Sequence, residues 1–158
     1  MARFDSIGGP AAPFTSYLQP GEQIRNVAYG VKQPHILLIV GLVMLAILPG
    51  LIAVALLTRE YLVALTDRRI IALRIKGRKA QVLEVLEYPL GSLPQARTST
   101  GAIFTHIRIM DPAKPFAAKF HRAGPAPSNR ENAMAIAAAL SGEPVMVSPA
   151  GAPRLQPS

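Results

Sequence analysis

Mainly β, an antiparallel barrel or sandwich closed by one C-terminal α-helix and carrying one apolar membrane helix, is the fold class this sequence predicts. Three observations predict it. Residues 36–57 form a run of 22 without a charged or polar side chain. After it, several short segments alternate apolar and polar residues with period two, separated by turn signals. Last comes Ser128-Asn129-Arg130-Glu131, an S-x-x-E helix start, followed by an apolar stripe at helical spacing.

Taken in order, residues 1–19 are rich in Gly, Pro, Ala and Ser without a period and read as a flexible tail. Residues 20–34 hold EQIRNVAY at 22–29, loosely alternating, which reads as a first strand. Residues 35–58 are the membrane segment. At about 1.5 Å rise per residue the run is roughly 33 Å long as a helix, against a hydrocarbon core of about 30 Å. It begins too late and runs too long for a secretory signal.

Residues 59–141 carry the main domain. Tyr61, Val63 and Leu65 alternate with Leu62, Ala64 and Thr66, and Asp67-Arg68-Arg69 turns the chain. Ile71, Leu73 and Ile75 then face away from Arg74 and Lys76, with Gly77 at a hairpin tip. Val82, Leu86 and Tyr88 oppose Leu83 and Val85, which predicts a strand buried on both sides. Pro89, Gly91 and Pro94 interrupt the pattern. Ile103, Thr105, Ile107 and Ile109 alternate with Phe104, His106, Arg108 and Met110, and Phe116, Ala118 and Phe120 alternate with outward Lys119 and His121. The closing helix starts at a capping box, Ser128 with Glu131. Ala133, Met134, Ile136, Ala137 and Leu140 form its apolar stripe, and Gly142 is a suitable stop. Residues 142–158 read as a disordered tail.

The charge is lopsided: net +1 before the apolar run and +7 after it, which together give +8. Positive flanks stay inside, so the main domain is expected on the cytoplasmic face of the cell membrane. Arg68, Arg69, Arg74, Lys76, Arg78 and Lys79 cluster in two loops and are the candidates for holding anionic lipid headgroups. Ala46 and Gly50 form a small-x-x-x-small pair, the candidate helix contact within the bilayer. Aromatic content is only 6%, and no aromatic is interleaved with the basic residues as a base-stacking platform requires, so nucleic acid is not an expected partner.

Little in the chain speaks for chemistry. There is no cysteine, which removes disulfides, thiolate metal sites and a cysteine nucleophile. His35, His106 and His121 have no carboxylate at metal-ligand spacing, and no nucleotide or hydrolase motif occurs. Glu84 and Glu87 fall on opposite faces of a strand and cannot pair as acid and base. No enzyme, metal or cofactor is expected.

Specific residues sharpen the fold. LQPGEQI at 18–24, an apolar segment, LVALTDRRIIALR at 62–74 and Tyr88-Pro89-Leu90-Gly91-Ser92-Leu93 follow one another. Their order resembles the bacterial pleckstrin-homology-like domain families, in membrane-anchored members. The resemblance covers roughly residues 18–140 and implies a β-barrel plugged by one helix. Many membrane-bound members carry two spanning helices where this chain has one run. The fold hosts many functions. The one expected here is a non-catalytic, membrane-anchored module for protein interaction or assembly, with an unknown protein partner or a second copy of the chain. The alternative is anionic-lipid headgroup binding through the basic loops.

Two topologies are open. The charge asymmetry favours a single span, with the N-terminus outside and the 22–29 strand apart from the barrel. If that strand joins the barrel, as the resemblance implies, both flanks lie on one side. Pro49-Gly50 then breaks the run into a helical hairpin with arms 36–48 and 51–57.

Overall fold

The computed structural model describes residues 4–142 apart from 46 and 78. Its strands are β1 (Ile24–Lys32), β2 (Arg59–Thr66), β3 (Arg69–Lys76), β4 (Gln81–Pro89), β5 (Ala96–Thr100), β6 (Phe104–Ile109) and β7 (Phe116–His121). They join in the order β4-β3-β2-β1-β7-β6-β5, every pairing antiparallel. β1–β4 make one meander and β5–β7 another. Their inner faces share one core, with Val63, Ile70 and Tyr88 from the first and Ile107, Phe116 and Phe120 from the second. The closing helix (Asn129–Ser141) adds Ile136 and Leu140 to it. β6 shows the simplest case of the predicted pattern, with Thr105, Ile107 and Ile109 buried and His106 and Arg108 exposed.

Residues 4–19 are not a loose tail. Two 3-10 turns, Asp5–Ile7 and Ala12–Tyr17, lay Phe4 and Phe14 on the outer face of the first meander, 1% and 0% exposed. There they meet Val27, Tyr29, Leu62, Ile71 and Leu73. Each buried ring contributes about 1.5–3 kcal/mol, which outweighs the permissive Gly and Pro around it. This second core explains why β2 and β3, not β4, are the strands buried on both faces. β4 lies at an edge, past a bulge at Arg74/Ile75, and leaves Leu83 48% exposed. β5 was not legible as a strand: ARTST lacks bulky alternation and forms the opposite edge.

The two meanders barely join. β1 meets β7 at the single pair Val31↔Lys119, and a side chain bridges the gap beyond it. Asn129 Oδ1 accepts the Tyr29 N–H at 2.6 Å, while Nδ2 donates to the carbonyls of Tyr29 (3.0 Å) and His121 (2.7 Å). Gly124 makes room, since a Cβ there would collide with the Asn129 amide. The predicted capping box does not form. Ser128 sits in the left-handed region (φ 49°) with no side-chain bond to the helix, because Asn129 is drawn inward to serve the strands.

The apolar run departs most from expectation. It is not one straight helix but two, α1 (Ile36–Leu45) and α2 (Ile47–Leu57), folded against each other. No helix among the described residues is long and apolar enough to cross a membrane. The 22–29 stretch does belong to the sheet, and Lys32 pairs with Arg59, so the chain leaves and re-enters at neighbouring points. The break lies between Leu45 and Ile47 rather than at Pro49-Gly50. Pro49 falls in the first turn of α2, where its missing N–H costs no intrahelical bond. Gly50 is buried against the other arm, and a Cβ there would strike the Leu42 carbonyl and the Val43 Cα. Gly50 thus makes a helix contact, but within one hairpin; its predicted companion Ala46 lies outside the described residues.

Candidate functional site

Three groups of residues come together at defined places on this frame.

The first is internal. Glu22 is buried, and Arg69 grips its carboxylate with Nε on Oε1 (2.9 Å) and Nη2 on Oε2 (2.8 Å). Thr66 donates its hydroxyl to Glu22 Oε1 (2.7 Å) and accepts the Arg69 N–H (3.0 Å), and the Gln19 N–H donates to Glu22 Oε2 (2.8 Å). Arg69 also reaches Glu87 Oε2 (2.6 Å) and the Tyr17 carbonyl (2.7 Å). These charge-assisted bonds, above all those from Arg69, hold the Glu22 carboxyl down at about 2 despite its burial. The Glu of the PGE segment and the Thr and Arg of the T-x-x-R segment are therefore one polar knot, tying the N-terminal segment to β2, β3 and β4.

The second group surrounds the hairpin root. β3 carries Arg69 and Lys76 to opposite ends, about 23 Å apart at a strand's rise, so the six predicted basic residues do not form one cluster. Arg68 and Arg69 lie at the far end with the knot. Arg68 is exposed, within 3.8 Å of Asp67. Arg74 lies near the root and faces Glu84 at 3.7 Å. Lys76 and Lys79 are exposed beside it, and Arg78 lies outside the described residues. Lys32 and Arg59, at the paired ends of β1 and β2, complete this side.

The third group was missed. The outer face of β5–β7 carries Arg97 directly opposite Arg108, and His106 opposite Lys119. A groove of about 600 Å³ runs between that face and residues 31–36 at the start of the hairpin. Alternation alone marks His106 and Arg108 as outward. Arg97 and Lys119 join them only through strand pairing, which links residues eleven and thirteen apart in sequence.

Beyond the root stands the hairpin, uncovered. Of the sixteen large apolar side chains exposed among the described residues, twelve lie on α1 and α2, with Met44 and Leu45 84% and 85% exposed at the tip. Monomeric proteins rarely present so continuous an apolar surface to water. Among the described residues no three His, Asp or Glu side chains gather as a metal site requires.

No protein-family model and no curated protein matches the chain. Two solved structures are similar in part. One is the hSac2 domain from human phosphoinositide phosphatase Sac2, at 8% identity and a TM-score of 0.45, covering 82% of this chain and 74% of that one. The other is a pleckstrin homology domain from Shewanella amazonensis SB2B, at 14% identity and a TM-score of 0.34, covering 72% and 81%. At such scores neither likeness decides the fold, which rests on strand order and register: a seven-stranded antiparallel sheet with a C-terminal helix.

Proposed function

We propose that this chain is a non-catalytic, pleckstrin-homology-like module attached to the cytoplasmic face of the cell membrane by its helical hairpin, where it serves protein interaction or assembly. The observation that carries this reading is the bare apolar hairpin whose two ends leave one end of the sheet. Its arms, of 10 and 11 residues, are about 15 and 16 Å long, half the roughly 30 Å hydrocarbon core. Such a hairpin enters one leaflet and returns. Each side chain removed from water there contributes about 1.5–3 kcal/mol.

Other features support the parts of this reading. Both flanks of the hairpin lie on one side, and the basic residues close to its ends, Lys32, Arg59, Arg68, Arg69, Arg74 and Lys76, favour the cytoplasm for that side. The PGE and T-x-x-R segments meet in a single knot, which supports the pleckstrin-homology-like assignment. Among the described residues the groups whose protonation is clearly displaced, Glu22, Arg69 and Tyr88, are engaged in internal hydrogen bonds rather than aimed into a cleft, which supports a role without catalysis.

The test is fractionation of the full chain against a variant in which residues 33–58 are replaced by a short Gly/Ser turn. Because Lys32 and Arg59 are already paired, such a turn closes the β1–β2 ladder. The full chain is expected to resist carbonate extraction, and the variant to be soluble, with the helical part of its far-ultraviolet spectrum reduced and the β part kept. Carbonate release of the full chain would overturn the reading. A cysteine at Ser16, in a chain without native thiols, is expected to stay protected from an impermeant reagent until cells are lysed. Labelling on intact cells would overturn the cytoplasmic placement.

A further inference from the structure

We infer that the outer face of β5–β7 is a phosphate-binding site, built from Arg97, Arg108, His106, Lys119 and Lys32, and filled by the headgroup of an anionic phospholipid. The inference rests on the membrane reading above and adds to it a place and a ligand chemistry.

Two rungs of the sheet make the site. On one, Arg97 stands directly across from Arg108; on the next, His106 stands between Ser99 and Lys119. Opposed side chains on one face of an antiparallel pair lie about 5 Å apart at Cβ, and like charges so placed destabilise the sheet. Among the described residues no carboxylate lies within ion-pair distance of them. The groove of about 600 Å³ over these rungs has no Asp or Glu in its lining, and none of Lys32, Arg97, Arg108 and Lys119 makes an ion pair among the described residues. Two acids lie nearby: Asp111 spends its Oδ1 on the N–H groups of Ala113 and Lys114, and Glu60, on the Val31 rung beside Lys119, accepts the Tyr29 hydroxyl at 2.8 Å. The same molecule neutralises Arg69 twice over at its other end, so arginines left facing each other here are a distinct arrangement. The ligand that fits is a compact, multiply accepting anion, which two guanidinium forks can grip bidentately.

Position selects the source. The groove is bounded by residues 33–36, the last before the apolar arms, so a hairpin sunk in one leaflet brings these rungs to headgroup level. The N-terminus of α1 opens there too, with His35 Nδ1 accepting the Leu37 N–H, and adds a positive dipole end to the side-chain charges. The knot at Arg68 and Arg69 lies at the far end of the ladder and takes no part.

The experiment uses the full chain with vesicles of phosphatidylcholine alone or with phosphatidylglycerol added. Partition into phosphatidylcholine reads the hairpin. The gain on adding phosphatidylglycerol reads the site. At about fivefold per basic residue near an anionic surface, Arg97→Ala with Arg108→Ala is expected to cut that gain by roughly tenfold to thirtyfold. Partition into phosphatidylcholine should be unaffected. Arg25→Ala with Arg68→Ala removes the same charge at the far end of the ladder and should keep most of the gain. Equal losses from both pairs, or none from the first, would overturn the site. Arg108→Glu alone sets opposite charges across the strands, so it should raise the unfolding midpoint while abolishing the gain. A gain that survives it would also overturn the site. Failure to bind phosphatidylcholine, with an Arg97- and Arg108-dependent gain intact, would sink the hairpin reading and leave the site standing. Inorganic phosphate, titrated against the His106 ring resonances of the micelle-held chain, separates the sources. Saturation by phosphate with no phosphatidylglycerol gain would overturn the lipid as ligand.

Discussion

The two ends of the β1–β2 ladder use the same residue types to opposite purposes. At one end Arg69 is folded inward, 8% exposed, and makes four guanidinium hydrogen bonds to two carboxylates and a carbonyl. At the other, Lys32 and Arg59 flank an apolar hairpin, with Lys76 and Lys79 exposed nearby. Arginine in a sequence reads the same in both places. What separates them is burial: Glu22 closes on Arg69 in the interior, whereas Glu84, the acid facing Arg74 at the other end, stands at the surface. The closed end should therefore govern stability and the open end attachment.

The largest expected effect breaks the closed end. Arg69→Met strands Glu22 in the interior without its partner and should destabilise the protein by about 3–5 kcal/mol, measured by denaturant unfolding. A loss as small as that from Lys79→Ala, within about 0.5 kcal/mol, would erase the distinction between the ends.

Acid tests the same knot without mutation. Glu22 has its carboxyl lowered from 4.5 to about 2 in the folded chain. Its contribution is fully present above pH 4.5 and is lost as pH falls towards 2, roughly 3 kcal/mol in all. Unfolding midpoints across that interval should drop for the native protein and change less for Glu22→Gln. Parallel pH profiles would contradict the assignment.

A smaller effect sharpens the comparison at the seam between the meanders. Asn129→Ala leaves the Tyr29 N–H and C=O unsatisfied in a buried place and should cost about 2–3 kcal/mol. Ser128→Ala should change stability by no more than about 0.5 kcal/mol, since its hydroxyl caps nothing. Ser128→Gly should stabilise by about 0.5–1 kcal/mol, because φ is 49° there. Thermal unfolding of the three variants checks the order.

The Asn129 and Ser128 pair also shows where reading the chain stopped. S-x-x-E is a local pattern, and the competing claim on Asn129 comes from Tyr29, a hundred residues away. Alternation found β2, β3, β6 and β7 because their apolar residues are large and their faces differ. It missed β5, where Ala, Thr and Ser blur the two faces, and so missed Arg97. The packing of Phe4 and Phe14 was hidden by the Gly and Pro between them, which describe the backbone's freedom and say nothing of where two rings go. Arg68 to Lys79 looked like one cluster because adjacency in sequence is not adjacency along a strand. Glu22 belongs to one sequence motif and Thr66 and Arg69 to another, and only the register of Ile24 against Thr66 unites them.

The folded-back apolar run has a further consequence, for the order in which the chain acquires structure. β1 and β2 are separated by 26 residues, a separation that ordinarily makes strand pairing slow, since closure entropy precedes any gain from contact. Here the intervening chain forms two helices whose close approach at Gly50 returns Arg59 to the side of Lys32. Once the helices pair, a distant pairing becomes a local one, and the ladder can zip from Lys32↔Arg59 towards Ile24↔Thr66. The hairpin is then a nucleus for the central strands of the sheet, and a bulky residue at Gly50 would register first as slower refolding.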